Sequence, residues 1–298
     1  MRDELKKIAK AFFYYHRGFP YLYWRFIAAP RIYRAGVLEK PATRDDLSVH
    51  MLFGARDMLL ACWSLASWYS VSTVHGRLFI HSDGTLTDAH KVTLKRLFPS
   101  HTCVDARDVV DEHGAFFEAH PALKKFRTRY KKFQAKKLLD PYLSSNARYR
   151  LVLDSDMLWF KNPVELWDAL DAGLPRTLMM DDGAGPHSYV VFKNGSRLSE
   201  ELAQFNSGVT FYRSDQFSVE KLTAYIHSID WEHAKFTDQA AYATMFMPTV
   251  ERLPMSRYII KGTLTDDIIM RHYTNPSRTK FYFYGLDRVY SKIFSNHV

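Results

Sequence analysis

Apolar runs and helix-period patterns alternate along residues 47–171. Short, mostly apolar runs predict strands at 48–54, 77–82, 101–106 and 149–153. Apolar residues at helical spacing predict helices at 56–69, 87–97 and 121–139, and a further helix opens with a proline after residue 162. This alternation predicts an α/β fold in which a Rossmann-like, mostly parallel sheet is flanked by helices.

The second half of the chain has a less regular pattern. Strands are predicted at 177–180, 189–192 and 205–213, and helices at 218–227 and 238–246. Because no internal repeat and no low-complexity linker interrupts the pattern, we expect one domain over residues 45–298, preceded by a basic, aromatic N-terminal extension over residues 1–44.

Two carboxylates end the predicted strand at 149–153. Side chains alternate faces along a strand, so Asp154 and Asp156 point the same way. Like charges at this separation repel one another unless a cation neutralises them, and a hard divalent ion with oxygen ligands can also hold a diphosphate. Ligands of parallel sheets collect at the carboxyl ends of strands. The pattern therefore predicts a metal–diphosphate site, the simpler alternative being a polar turn after a core strand.

Composition limits the class of protein. The 298 residues are 47% hydrophobic and 15% aromatic, enough for one large domain. No apolar stretch approaches the ~18 residues that a membrane span needs, and the N-terminus lacks signal-peptide organisation. Cys62 and Cys103 have no metal-type spacing and lie in apolar stretches. We therefore expect a cytoplasmic protein with two reduced, buried thiols.

The net charge of +9 is unevenly distributed. Residues 1–44 hold ten Lys/Arg against three Asp/Glu, a balance of +7, interleaved with aromatic residues. Such a segment suits the inner surface of an anionic membrane, although its rings could instead pack on the domain. Residues 124–137 hold eight Lys/Arg and no acid, which fits either a phosphate contact or a solvated face. No zinc-finger spacing or RNA-binding motif accompanies the charge, so nucleic acid is not expected as a partner.

Four motifs in order give the chain a family resemblance. The segments 152–157 and 160–163, Asn206-Ser207-Gly208, Asp238-Gln239 and Arg271-His272-Tyr273 resemble the metal site and sugar-pocket motifs of GT-A-fold nucleotide-sugar glycosyltransferases. The likeness is greatest to the retaining galactosyl, glucosyl and glycogenin-like branch. It covers about residues 48–275. It implies transfer of a sugar from a nucleotide-diphosphate donor, most simply a UDP-sugar, to a glycan or lipid-linked acceptor.

The resemblance also implies roles for individual residues. Asp154, Asp156 and His272 would bind Mn²⁺ or Mg²⁺. Asp238 and Gln239 would lie nearest the reacting carbon. In an inverting enzyme Asp238 would be the general base, and in a retaining enzyme either residue would stabilise the transition state. The residues expected to contact the donor nucleotide or its sugar are Arg56, Asp154, Asn206, Gly208, and the basic positions Lys132 and Lys136, with Lys137 beside them.

The chain departs from the family pattern at two points. Within residues 53–57, after the first strand, the sequence does not identify the residue that contacts the nucleobase. The usual Gly and Lys after His272 do not appear cleanly, and Arg278 and Lys280 are the nearest cations. Two other classes stay open on the sequence. A nucleotidyltransferase or phosphotransferase also uses an Asp-x-Asp metal site, but residues 48–60 lack a Gly-rich phosphate loop. The second of these classes is a membrane-associated binding protein that does not catalyse a reaction.

Overall fold

The computed structural model describes residues 2–129, 134–183, 190, 192–230, 237–275 and 277–294. In these residues the chain forms ten strands. They are β1 (Leu47–Phe53), β2 (Arg77–Ser82), β3 (Thr102–Asp105), β4 (Tyr149–Leu153), β5 (Met157–Trp159), β6 (Thr177–Asp181), β7 (Phe205–Arg213), β8 (Val250–Arg252), β9 (Tyr258–Ile259) and β10 (Met270–His272).

Helices cover both faces of the main sheet. The α-helices are α1 (Arg2–Ala9), α2 (Gly18–Tyr23), α3 (Met58–Val71), α4 (Asp88–Leu97), α5 (Val109–Glu112), α6 (Gly114–Ala119), α7 (Pro121–Arg129), α8 (Gln134–Leu143), α9 (Val164–Asp171), α10 (Glu200–Ala203), α11 (Val219–Ser228), α12 (Thr237–Phe246) and α13 (Leu286–Phe294). Two π-helical turns (Lys10–Tyr14, Trp24–Ala28) and three 3₁₀ helices (Ala29–Arg34, Ser214–Gln216, Arg278–Tyr282) join them.

The main sheet has seven strands in the order β3-β2-β1-β4-β7-β6-β8. Strands β3, β2, β1 and β4 are parallel, β7 is antiparallel to both of its neighbours, and β6 and β8 are parallel to each other. The predicted α/β class with a mostly parallel, helix-flanked sheet is confirmed. The central strands β1 and β4 are buried at every position, which explains why they appear in the sequence as apolar runs rather than as alternating patterns.

A second, three-stranded sheet was not predicted. Its order is β5-β10-β9, with β10 antiparallel to β5 and parallel to β9. These strands have only two or three residues each, too few to show a period in the sequence. In the register of this sheet His272 pairs with Met157, one residue after Asp156. The second sheet therefore carries the C-terminal part of the chain back to the end of β4.

Other predicted elements agree with the structure in part. Thr87 caps α4 as expected, in a capping box with His90. The helix predicted at 121–139 corresponds to α7 and α8, and residues 130–133 lie outside the described part of the chain. Of the strand predicted at 189–192, residues 189 and 191 also lie outside it, and Phe192 forms a single bridge with Ile229.

One cysteine prediction is wrong. Cys62 is buried in α3, but Cys103 is exposed. It lies on β3, the edge strand of the main sheet, where apolar neighbours in sequence do not ensure cover from both sides.

The N-terminal segment shares the main core. Tyr21 and Ile32 are fully buried, and the Trp63 indole of α3 donates to the Ala29 carbonyl at 3.0 Å. The Tyr21 ring lies 5.7 Å from the Tyr282 ring in the last 3₁₀ helix. Part of the extension thus packs on the rest of the chain through both α3 and the C-terminal elements. No helix in the described residues combines the length and apolar character that a membrane span requires.

Candidate active site

Asp154, Asp156 and His272 meet at the carboxyl end of β4. His272 Nε2 lies 3.0 Å from Asp156 Oδ1 and 3.4 Å from Asp154 Oδ2. One ligand atom from each of the three residues can be chosen so that all lie within 4.8 Å of one another. Opposite ligands of a divalent ion with bonds of about 2.0–2.1 Å are about 4 Å apart, so small side-chain rotations would close this set around one ion. Two carboxylate oxygens and an imidazole are a donor set that can hold a divalent metal ion.

The backbone fixes this cluster from two directions. The Asp154 amide donates to the Gly208 carbonyl at 2.9 Å, which ties the end of β4 to β7. The Tyr273 amide donates to the Asp156 carbonyl at 2.8 Å, which ties the same loop to the strand that carries His272. Asp154 and His272 are 118 positions apart in the sequence. The two backbone hydrogen bonds hold the elements that bring their side chains together.

A buried lysine lies against the cluster. Lys137, on α8, has a side chain only 3% exposed, and its ammonium donates to Asp154 Oδ1 at 2.6 Å. It also donates to the carbonyl and the hydroxyl of Ser207 at 2.8 and 3.0 Å, and lies 3.5 Å from Asp238 Oδ2. Ser207 in turn donates to Asp238 at 2.7 Å. Lys137 therefore joins the metal-site carboxylate to the start of α12.

A second cation lies on the other side of the cluster. Arg278 Nε is 3.1 Å from Asp156 Oδ2, without hydrogen-bond geometry, and its Nη1 is 3.1 Å from Asp57 Oδ1. Arg278 is at the start of the last 3₁₀ helix, and Asp57 lies just before α3. Asp154 is thus paired with Lys137, and Asp156 is paired with Arg278.

The pKa values follow from this arrangement. Burial raises the pKa of Asp156, but His272 and Arg278 outweigh burial and hold it below its ordinary value. Burial lowers the pKa of Lys137, but Asp154 and Asp238 outweigh it, so the pKa is raised and the ammonium stays charged. Burial also lowers the pKa of His272, and Asp156 and Asp154 overcome it and raise the value. Opposite charges, rather than solvent, set the ionisation of the site.

Asn206 and Gly208 lie on β7 beside His272, and Asn206 also lines the cleft described below. Asn206 Oδ1 accepts the Gly208 amide at 2.8 Å, and its Nδ2 donates to Asp182 Oδ1 at 3.2 Å. A Cβ at Gly208 would lie 2.5 Å from His272 Nδ1 and 2.9 Å from Asn206 Oδ1. Glycine is therefore needed at 208 because the imidazole packs directly on its backbone.

We expect Gly208→Ala to weaken Mn²⁺ binding at least about tenfold, because the added methyl displaces His272. Isothermal titration with Mn²⁺ measures this. Gly36→Ala is the matched control, since nothing lies within 4 Å of a Cβ there. An unchanged Mn²⁺ affinity in Gly208→Ala would show that His272 is not a ligand.

Asp238 and Gln239 open α12 beside the cluster. Both are buried, and Asp238 Oδ2 is engaged by Ser207 and Lys137. Gln239 Nε2 is buried without a hydrogen-bond partner among the described residues. A buried amide donor without a partner costs free energy, so its place beside the cluster is consistent with a ligand group as its acceptor.

A cleft of about 560 Å³ joins these groups. It extends from the metal-site cluster to the carboxyl ends of β1 and β2. The residues that line it include Gly54, Arg56, Asp57, Asp83, Lys137, Asp154, Asp156, Asn206, Asp238, Gln239, His272 and Arg278.

The basic residues predicted to contact the donor have different positions. Arg56 is exposed and lines the cleft. Lys136 is half-buried and donates to the Asp83 carbonyl at 3.3 Å, outside the residues that line the cleft. Lys132 lies outside the described residues. Among the described lysines of the basic run, Lys137 is the one that reaches the carboxylates.

Sequence reasoning missed Asp57, Asp83 and Ser207 as parts of the site. Asp83 lies directly over Gly54, where a Cβ would be 2.2 Å from its Oδ2. Its position directly after a predicted strand is the signal that could have found it, since ligands collect at strand ends.

The comparisons with known proteins agree with this geometry. Residues 147–278 match the model of the nucleotide-diphospho-sugar transferase family. That segment runs from the start of β4 through His272 to Arg278. The chain has the GT-A fold, and the match over residues 147–278 supports a glycosyltransferase. The predictions of fold and enzyme class are confirmed.

Solved structures of other glycosyltransferases share the fold of this enzyme at low identity. Mouse xyloside xylosyltransferase 1 is 15% identical, with a TM-score of 0.52, and the match covers 78% of this chain and 98% of that one. The galactosyltransferase LgtC, solved with donor and acceptor sugar analogues, is 13% identical with a TM-score of 0.51, covering 83% and 95%.

The bifunctional glycosyltransferase WbbM is 16% identical, with a TM-score of 0.57, and the match covers 86% of this glycosyltransferase but only 51% of WbbM. This chain therefore corresponds to about half of that longer protein. No curated protein sequence matches the present chain.

Proposed function

We propose that this glycosyltransferase is metal-dependent and moves a sugar from a UDP-sugar to a glycan or lipid-linked acceptor. The observation that carries the proposal is the convergence of Asp154, Asp156 and His272 in one cleft with Lys137 and Arg278. A nucleotide-diphosphate donor brings negative charge that increases on the leaving group during transfer. Lys137, Arg278 and a metal ion held by the two aspartates and His272 would supply positive charge to that group.

The donor set supports a resident Mn²⁺ or Mg²⁺. His272 Nδ1 is buried without a partner among the described residues, whereas its Nε2 faces both carboxylates. Asp154, Asp156 and His272 would hold the ion, leaving further positions for phosphate oxygens and water. A bound ion would supply Lewis-acid stabilisation of charge on the departing diphosphate.

Lys137 and Arg278 then have a role in donor binding. Each pairs with a metal-site carboxylate in the structure, at 2.6 and 3.1 Å. With a cation held by those carboxylates, Lys137 and Arg278 would be able to turn part of their charge toward the diphosphate. Arg278 would thus replace the missing family lysine, because a guanidinium can hold a phosphate with two parallel hydrogen bonds.

The environment of Asp238 favours an electrostatic role. A general base needs an oxygen free to accept a proton from the acceptor hydroxyl. Asp238 Oδ2 accepts from Ser207 and lies 3.5 Å from the Lys137 ammonium, so this one of the two carboxylate oxygens is not free to take that proton. Gln239, with its unpaired amide, is the better placed of the two to hydrogen-bond the sugar. This supports the retaining branch, with Asn206 and Gly208 beside the donor sugar.

Binding measurements with donor and metal test the proposal. We expect a UDP-sugar with Mn²⁺ to raise the melting temperature, since a ligand that binds only the folded state stabilises it by mass action. The same sugar without metal, and Mn²⁺ without nucleotide, are the controls. If a broad panel of nucleotide sugars produces neither a thermal shift nor calorimetric heat with Mn²⁺, the proposed function is wrong.

We expect Lys137→Met to lower kcat about 10²-fold, because it removes a preorganised charge beside the leaving group while keeping the side-chain volume. Steady-state kinetics with the identified donor measures this. Lys261→Met, at an exposed position away from the cleft, is the control. If Lys137→Met retains full turnover, the ammonium is structural only.

The proposed place of action is the cytoplasmic surface of a membrane. This part of the proposal rests on the basic and aromatic composition of residues 1–44.

A further inference from the structure

The exposed apolar side chains of the enzyme concentrate in one short segment. Of the eleven large hydrophobic side chains that are exposed among the described residues, seven lie between residues 5 and 27. Phe13 is 82% exposed, Phe19 is 78% exposed and Tyr14 is 71% exposed. The others in the segment are Leu5, Tyr23, Phe26 and Ile27. Such a concentration marks an interaction surface rather than scattered exposure.

The segment is held rigidly on its other side. Ala11, Tyr21 and Ala28 are fully buried, and Tyr21 donates to Glu4 at 2.8 Å. Rings also meet along the exposed side, with the Phe12 and Phe19 centroids 5.5 Å apart. The aromatic residues of the N-terminal extension thus divide between packing on the domain and facing outward.

Basic side chains accompany the exposed rings. Lys6 and Arg17 are exposed, Lys10 Nζ lies 5.7 Å from the Tyr14 ring centre, and residues 1–44 carry the balance of +7. Amphipathic rings beside cations suit the interface of an anionic bilayer, where rings enter the headgroup region and cations meet lipid phosphates. A second copy of the chain is a poor occupant because its own +7 segment would be repelled.

The surface is one element away from the active site. The Tyr21 and Tyr282 rings are 5.7 Å apart, and the Arg25 guanidinium lies 5.2 Å from the Tyr282 ring centre. Tyr282 ends the 3₁₀ helix that Arg278 begins. The N-terminal segment therefore contacts the 3₁₀ helix that also carries Arg278 of the cleft.

We infer that residues 5–27 form a membrane-docking surface for anionic lipid, with Phe13, Tyr14 and Phe19 entering the interface and Lys6 and Arg17 facing lipid phosphates. This deepens the proposed function, because it places the acceptor of the reaction at a bilayer. The occupant is a lipid surface, since the charge and the rings together match a headgroup interface.

Vesicle co-sedimentation tests the inference with the full chain. We expect the protein to pellet with phosphatidylcholine vesicles that contain about 30% phosphatidylglycerol, because anionic lipid attracts the basic side chains. We expect it to stay in solution with vesicles of phosphatidylcholine alone. Phe13→Ser with Phe19→Ser should lower the partition coefficient at least about tenfold. Lys6→Gln with Arg17→Gln should lower it about tenfold or more and weaken its salt dependence.

Matched controls separate this surface from general effects. Val92→Ser removes an exposed apolar side chain on α4, and Lys193→Gln with Lys261→Gln removes the same charge elsewhere. Both should bind vesicles as the wild type does. All variants should keep the wild-type melting temperature and the donor-induced thermal shift, which tests the proposed function separately.

Two results would overturn the inference. The first is failure of the wild type to pellet with anionic vesicles. The second is a concentration-dependent dimer, seen by light scattering, that Phe13→Ser with Phe19→Ser abolishes, since the surface would then belong to a second copy.

Discussion

Replacing Asp156 with asparagine is expected to lower kcat more than ~10²-fold, because it removes one of two carboxylates at the proposed metal site and a large electrostatic contribution to catalysis. The substitution keeps the shape of the side chain. It removes the charge that His272 and Arg278 face at 3.0 and 3.1 Å. Steady-state turnover with the donor identified by thermal shift, at saturating Mn²⁺, is the measurement.

The control for this variant is Asp266→Asn, at a fully exposed carboxylate. It should keep wild-type turnover. Near-wild-type turnover of Asp156→Asn with added Mn²⁺ would show that the metal site is assigned wrongly. The melting temperature of Asp156→Asn separates the two causes of a lower kcat. A lowered melting temperature would indicate lost stability, and an unchanged one would indicate a catalytic effect.

The Arg127–Asp140 pair is expected to show the largest stability effect. Arg127 Nε and Nη2 donate to Asp140 at 2.7 and 2.9 Å, and both side chains are almost fully buried. Burial raises the pKa of Asp140 although Arg127 opposes it, so the carboxylate depends on its partner. We expect Arg127→Met to lower the free energy of unfolding by about 3–5 kcal/mol, the cost of leaving a buried charge unpaired.

Urea denaturation measures this effect. Arg176→Met, which breaks an exposed pair with Glu251 at 3.9 Å, should cost less than about 1 kcal/mol. Adding Asp140→Leu to Arg127→Met should recover much of the loss, because no buried charge is then left unpaired. A loss below about 1 kcal/mol in Arg127→Met would mean that water or another cation replaces the guanidinium. Because the pair joins α7 to α8, it also supports the helix that carries Lys137.

Several site residues could be found from local sequence alone. Asp154 and Asp156 directly follow an apolar run, so their place at the end of β4 is a local property, although both lie between β4 and β5 and not within a strand, as the alternation argument assumed. Asp238 lies in the first turn of α12, and the Asn206 side chain accepts from the Gly208 amide two residues further along β7. These features need only a few neighbouring residues to be predicted.

Lys137 shows where this reasoning ends. Residues 124–137 contain eight basic residues that the sequence does not distinguish. Lys132 and Lys136 were expected to contact the donor as much as Lys137. Only the packing of α8 against β7 and α12 selects the one ammonium that is buried between Asp154 and Asp238. The identity of the buried member of a charge run is a property of helix rotation and docking, which local pattern does not fix.

The sequence by itself determined the α/β class, the mostly parallel central sheet and the strand that Asp154 and Asp156 follow, because these depend on local hydrophobic periodicity. The tertiary structure decided which distant groups complete the site. His272 reaches Asp156 through a second sheet with strands of two or three residues, and Arg278 reaches it through a 3₁₀ helix. The physical reason is that contacts between residues more than a hundred positions apart depend on how whole elements pack, and such short strands carry no period of their own.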